Sequence, residues 1–194
     1  MLLMTAANKV TSIRFLLCIV YYVVLTLCLR ERDQSLLAMA FILNQIIAWS
    51  DLLDGYLARK YKEVTHFGRI ADPLVDKILV VGSFIFFLML DPLPKIFTAW
   101  FAVVVLGREF LVSGIRGAME AAGIPFPASV WGKIKTAIQN VTVGTGLGYA
   151  AWLPTSRVTQ IITLGLMWAT LVATVMSGVT YVMSARKFLG SERI

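Results

Sequence analysis

The chain has 194 residues, 58% of them apolar and only 15% charged, with a formal net charge of +7 at pH 7. Soluble domains carry about a quarter charged residues, so this composition excludes an ordinary water-soluble fold. The absence of a hydrophilic basic stretch also makes nucleic acid an unsuitable partner. What remains is an integral membrane protein whose length suits one domain over residues 1–194.

In chain order, residues 1–14 form an interfacial amphipathic start, in which Asn8, Thr11 and Arg14 recur on one face. That face suits either a nucleotide or a plain seat at the membrane surface. Runs of bilayer-crossing length, roughly 17–25 residues each, follow at Ile13–Leu29, Leu36–Lys60, Asp72–Leu90, Ile96–Arg116, Ile134–Leu153 and Val158–Ala185. Helices satisfy their own backbone groups in lipid, so the expected fold is an all-α bundle of six transmembrane helices. The first run reads as a retained span. No small-residue cleavage site follows Leu29, and Arg30-Glu31-Arg32-Asp33 comes directly after it. The link between the second and third spans is short, which predicts antiparallel neighbours.

Placing the N-terminus, the second and fourth loops and the C-terminus on one side gathers twelve Lys and Arg there against four on the other. Both termini are therefore expected in the cytoplasm, with the protein in the cytoplasmic membrane. Such a basic face suits anionic headgroups or phosphorylated substrates. Lys77 and Arg108 fall inside spans. Cys18 and Cys28 are ten residues apart on the first span, about 15 Å along a helix, so they are beyond disulfide reach.

The densest chemistry lies at the junction of spans two and three. Four of the chain's six aspartates sit in Asp51-x-x-Asp54-Gly55-x-x-Ala58-Arg59, eight residues, Gly68-x-x-x-Asp72-x-x-x-Asp76. On helices, Asp51 and Asp54 share a face, and so do Asp72 and Asp76. Asp72 before Pro73 has the look of a helix N-cap, with the proline in the first turn where no N–H is needed. Carboxylates crowded in apolar surroundings repel unless they are protonated or cations lie between them. Hard oxygen ligands favour Mg²⁺ or Mn²⁺, and two such ions balance four carboxylates. Small residues at Gly55 and Ala58 leave room for a ligand, and Arg59 is suited to a phosphate. Two metals beside an arginine suit phosphoryl transfer.

This pattern resembles the signature of the CDP-alcohol phosphotransferases, and every fixed position is met. The resemblance implies six transmembrane helices, a cytoplasm-facing active site and a homodimer. It implies Asp51, Asp54, Asp72 and Asp76 as ligands of two Mg²⁺ or Mn²⁺ ions, with Asp76 also the catalytic base. Gly55, Ala58, Arg59 and Gly68 would line the cytidine diphosphate pocket, and Thr65 would reach a donor phosphate. Gly107-Arg108-Glu109-Phe110, Ser113-Gly114-Ile115-Arg116, Gly132-Lys133-Ile134-Lys135-Thr136 and Asn8-x-x-Thr11-x-x-Arg14 look like the phosphatidylglycerophosphate synthase branch. That branch transfers a phosphatidyl group from CDP-diacylglycerol to glycerol 3-phosphate and releases CMP. The chain departs from it at Gly117, where an acid is common, and at Ala7, where proline is common.

An acceptor phosphate needs cations beside the metals. Arg108 lies inside span four and Arg116 eight residues on, along roughly the same stripe. Both are candidate acceptor-phosphate ligands, together with Lys135 and Lys133. Asn8 and Thr11 are candidates for the CDP-diacylglycerol side. Two other readings stand beside this one. A relative could use inositol phosphate, serine or phosphatidylglycerol as acceptor. A divalent-cation transporter would also carry intramembrane carboxylates, although nearer the midplane.

Overall fold

The computed structural model describes the backbone of residues 6–61, 66–123 and 129–191, and the side chains of 11–50, 71–123 and 129–186. Among the described residues the protein is all-α, with six α-helices. They are α1 (Ala6–Glu31), α2 (Gln34–Tyr61), α3 (His66–Phe87), α4 (Ala99–Ala121), α5 (Val130–Trp152) and α6 (Arg157–Ser191), and a 3₁₀ turn, Leu93–Lys95, precedes α4. Two stretches, Thr11–Glu31 and Arg157–Arg186, are long and apolar enough to cross a bilayer, and Gln34–Ser50 is a shorter apolar run. Helices α3, α4 and α5 carry the charged residues Asp72, Asp76, Lys77, Arg108, Glu109, Arg116, Lys133 and Lys135, which dilute their apolar character.

The distribution of polarity is that of a protein whose solvent is lipid. Outward positions hold Leu16, Ile42, Val103, Phe110, Val158 and Ile161, each more than half exposed. The interior holds Arg14, Asn44, Arg108, Glu109, Lys135, Gln139, Thr142, Thr170 and Ser177, all buried. In water this arrangement would expose apolar area far beyond the usual patch size. In hydrocarbon it satisfies polar groups internally.

The helices pack in a ring, α1 against α2, then α5, α6, α4 and α3, which closes on α1, with α3 also touching α5. The expected direct pairing of α2 with α3 falls on residues 51–70, whose side chains lie outside the described residues. The α1–α3 contact is close. Tyr21 Oη and Ser83 Oγ are 2.7 Å apart in the core, and Tyr22 Oη donates to the Ile78 carbonyl at 2.6 Å. A Cβ at Gly82 would run into Tyr22 Oη, so glycine at this position lets Tyr22 sit against α3. On the α2–α5 seam, Gly144 and Gly148 face Gln45 and Phe41, which is the intramolecular use of a small-xxx-small pair. Thr142 on α5 meets Thr170 on α6 at 2.7 Å.

Phe84, Phe87, Phe97 and Phe101 interlock at centroid separations of 5.0–6.0 Å and close the ring at the end of α3 remote from Asp72. Helices α1 and α2 are joined by a two-residue turn. There Arg32 adopts φ 51° and Asp33 accepts the Ser35 N–H at 2.8 Å. That backbone N–H holds the exposed Asp33 carboxyl below the usual carboxylate range.

One local expectation is corrected. Helix α3 begins at His66, six residues before Asp72, so Asp72 is no N-cap and Pro73 lies inside the helix. The proline removes one i→i−4 bond, yet the helix continues through it. Asp72 and Asp76 are thereby one turn apart in regular helix.

Candidate active site

Helix α1 holds the α3 carboxylates. Thr11 Oγ1 donates to Asp72 Oδ1 at 2.8 Å, and Arg14 Nη2 donates to Asp76 Oδ1 at 2.6 Å. Arg14 Nη1 stands 4.0 Å from Asp72 Oδ1. The Arg14 side chain is 1% exposed, whereas Asp72 and Asp76 remain 43% and 35% exposed. One cation therefore lies against both carboxylates, which stay partly exposed. The face bearing Thr11 and Arg14 is packed on α3. Asn8, Asp51, Asp54, Gly55, Ala58, Arg59 and Gly68 have side chains outside the described residues, and Thr65 lies outside them altogether. No cluster of three or more His, Cys, Asp or Glu is present among the described residues.

A cavity of about 1080 Å³ opens between α2, α3, α4, α5 and α6. Among the described residues Asp76 lines it, and so do Lys77, Arg108, Arg116, Lys133 and Lys135, five cations against the two carboxylates Asp76 and Glu109. Its other walls are Phe41, Trp49, Val80, Val81, Val141 and Tyr149.

The cations are organised rather than scattered. Arg108 Nη1 reaches both oxygens of Glu109, at 3.1 and 3.2 Å, and Lys135 Nζ donates to Glu109 Oε1. All three are buried, so the carboxylate offsets two charges that would otherwise face each other at low dielectric. Arg108 Nη2 donates to Ser177 Oγ on α6. Arg116, exposed on α4, donates from Nη2 to Tyr181 Oη at 2.8 Å. Lys133 is exposed at the cavity edge. The structure thus brings Arg108, Arg116, Lys133, Lys135 and Asp76 to one cavity.

Sequence reasoning assigned no catalytic or ligand-binding role to Lys77, Glu109, Ser113, Ser177 or Tyr181. Lys77 Nζ donates to Ser113 Oγ at 2.5 Å, and Ser113 Oγ donates to the Glu109 carbonyl at 2.5 Å. A lysine inside a span was a signal in itself. Glu109 was visible as the neighbour of Arg108. Nothing in the sequence marked Ser177 or Tyr181.

The donor set can be tested against divalent ions. Two carboxylates one helical turn apart, partly exposed and backed by a buried arginine, are hard oxygen donors that fit Mg²⁺ or Mn²⁺.

A family model described as CDP-alcohol phosphatidyltransferase matches residues 4–184. The chain belongs to the CDP-alcohol phosphatidyltransferase family. It is accordingly an enzyme, a membrane transferase of phospholipid biosynthesis whose phosphoryl transfer is metal-assisted. Among its relatives is a CDP-diacylglycerol–glycerol-3-phosphate 3-phosphatidyltransferase of Bacillus subtilis (strain 168). It is 37% identical over 140 residues, 72% of this chain and 69% of the relative. Proteins of the same name from Rickettsia bellii (strain RML369-C) and Rickettsia felis (strain ATCC VR-1525 / URRWXCal2) are 34% and 31% identical, each covering 78% of this chain and 79% of the relative. The family match includes the part of α6 that carries Ser177 and Tyr181. Membership in a transferase family replaces the transporter reading.

Proposed function

We propose that the enzyme transfers the phosphatidyl group of CDP-diacylglycerol to glycerol 3-phosphate, yielding phosphatidylglycerophosphate and CMP. The observation that carries this reading is the single cavity joining Asp76 to a group of five cations. A lipid-linked pyrophosphate and a second, phosphorylated substrate need such a pairing. The printed names of the relatives point the same way.

In this reading Asp51, Asp54, Asp72 and Asp76 hold two Mg²⁺ or Mn²⁺ ions, which when bound neutralise the donor pyrophosphate and the departing CMP. Gly55, Ala58, Arg59, Thr65 and Gly68 take the cytidine diphosphate part, with Asn8 and Thr11 nearby. Arg108, Arg116, Lys135 and Lys133 take the acceptor phosphate. Arg14, buried and bonded to Asp76 Oδ1, fixes the carboxylate that removes the acceptor's hydroxyl proton. The resulting alkoxide forms a bond to the β-phosphorus as the bond to the CMP oxygen breaks, and CMP leaves as the monoester. The apolar walls at Phe41, Val80 and Val141 suit acyl chains. All six helices cross the membrane, with both termini and the aspartate end of the bundle at the cytoplasmic surface, the depth at which a donor headgroup lies.

The test is CMP release from membranes given CDP-diacylglycerol and, in turn, glycerol 3-phosphate, inositol phosphate, serine and phosphatidylglycerol. Release is expected with glycerol 3-phosphate alone. Release with another acceptor and none with glycerol 3-phosphate would overturn the acceptor assignment while leaving the donor half standing.

A further inference from the structure

We propose that α6 supplies the positioning residues of the acceptor subsite: Tyr181, assisted by Ser177, fixes the guanidinium groups of Arg116 and Arg108 toward the cavity. This rests on reading the cationic end of that cavity as the place where the acceptor's phosphate binds.

Arg108 and Arg116 stand on α4, eight residues apart, and both are long side chains with many rotamers. A phosphate site is selective only if its forks are already aimed. Tyr181 does the aiming from the neighbouring helix. Its hydroxyl accepts from Arg116 Nη2 at 2.8 Å and from the Ser129 backbone N–H at 3.2 Å. Its ring faces both guanidinium carbons, Arg108 at 5.6 Å and Arg116 at 5.8 Å, within cation–π range. The side chain is 3% exposed and lines the cavity. A buried aromatic has only two χ angles, so it is a stiff support for two flexible cations.

The same residue ties in α5. Ser129 is the N-cap of α5, and its Oγ accepts the Gly132 N–H at 3.0 Å. Lys135 lies one turn further along. Tyr181 therefore links the two helices that carry the acceptor cations. One turn before it on α6, Ser177 accepts from the Nη2 of Arg108, whose Nη1 is held by Glu109. The stem of Arg108 lies against Gly178, where an added Cβ would sit 3.5 Å from Arg108 Cγ. Ser177, Gly178 and Tyr181 of α6 thus all meet the α4 arginines, although among the described residues α6 contributes no carboxylate or cation of its own to the cavity.

The experiment compares Tyr181→Phe, Ser177→Ala and Arg116→Ala with the wild type in detergent, measuring initial rates of CMP release. Phenylalanine keeps the ring and removes only the hydroxyl. Tyr181→Phe is expected to raise KM for glycerol 3-phosphate roughly five- to tenfold, the effect of one charge-assisted hydrogen bond in a half-open site. The KM for CDP-diacylglycerol and the kcat at saturating acceptor should move less than about twofold. Ser177→Ala should shift the same acceptor KM in the same direction, and Arg116→Ala should shift it more. A residue that merely stabilised the bundle would lower the melting temperature and leave the ratio of the two KM values unchanged. If Arg116→Ala raises the acceptor KM and Tyr181→Phe leaves it within twofold, the positioning role is overturned and the acceptor subsite stands. If Arg116→Ala leaves it unchanged, both are overturned.

Discussion

Replacing Glu109 by Gln tests how the cationic end of the cavity is held. Glu109 is buried between Arg108, at 3.1 and 3.2 Å, and Lys135. At 3.1 Å and an effective dielectric near 20, each contact has a gross Coulomb energy of about 5 kcal/mol. Desolvation cancels much of that, but losing one member of a buried pair leaves the others uncompensated, at about 3–5 kcal/mol. Glutamine keeps an oxygen acceptor, so the loss should fall near the lower end, about 3 kcal/mol. It leaves Arg108 and Lys135 facing each other without an anion. Inorganic phosphate should then act as a substitute anion. At a hundred times its Kd it returns about 2.7 kcal/mol, and the gain should be larger in the variant than in the wild type. The assay is reversible unfolding in mixed micelles, with and without phosphate, followed by helical circular dichroism. A variant within about 0.5 kcal/mol of wild type, or equal phosphate stabilisation of both proteins, would refute the charge-anchor reasoning.

Three further outcomes are expected. Asp76→Asn should lower CMP release by on the order of 10²–10⁴-fold, the range for a general base, and Asp72→Asn should lower it through loss of a metal ligand, while the circular dichroism spectrum of each stays that of the wild type. Gly146→Ala should destabilise by about 1–3 kcal/mol, because its Cβ would lie 2.7 Å from Phe87 Cε2 and 3.1 Å from Cζ; the acceptor KM, measured below the melting temperature, should not change. Stripping divalent ions with a chelator should abolish CMP release, and adding Mg²⁺ or Mn²⁺ should restore it.

The acidic half of the site was legible because its chemistry is local. Asp72 and Asp76 are one turn apart on a single helix, and spacing alone puts them on one face. Arg108 and Lys135 were legible because a charge in an apolar run demands a partner. What the sequence hid is contact across the ring. Arg14 meets Asp76 across 62 positions, Tyr181 meets Arg116 across 65, and Ser177 meets Arg108 across 69. A tyrosine and a serine in a helix rich in Thr, Ser, Gly and Ala look like ordinary packing residues until the helix order is known. The seat of Tyr22 on Gly82, which brings α1 against α3, was equally hidden. Pro73 misled in the other direction, since proline usually marks a helix start and here lies within α3.

The account turns on the α3 carboxylates, held by Arg14, being ligands for divalent cations at the mouth of the cavity. Anomalous diffraction from crystals grown with Mn²⁺ measures that directly. Manganese peaks about 2.1 Å from carboxylate oxygens of Asp72 and Asp76 are the expected result. Well-ordered density for both side chains with no manganese on either would contradict it.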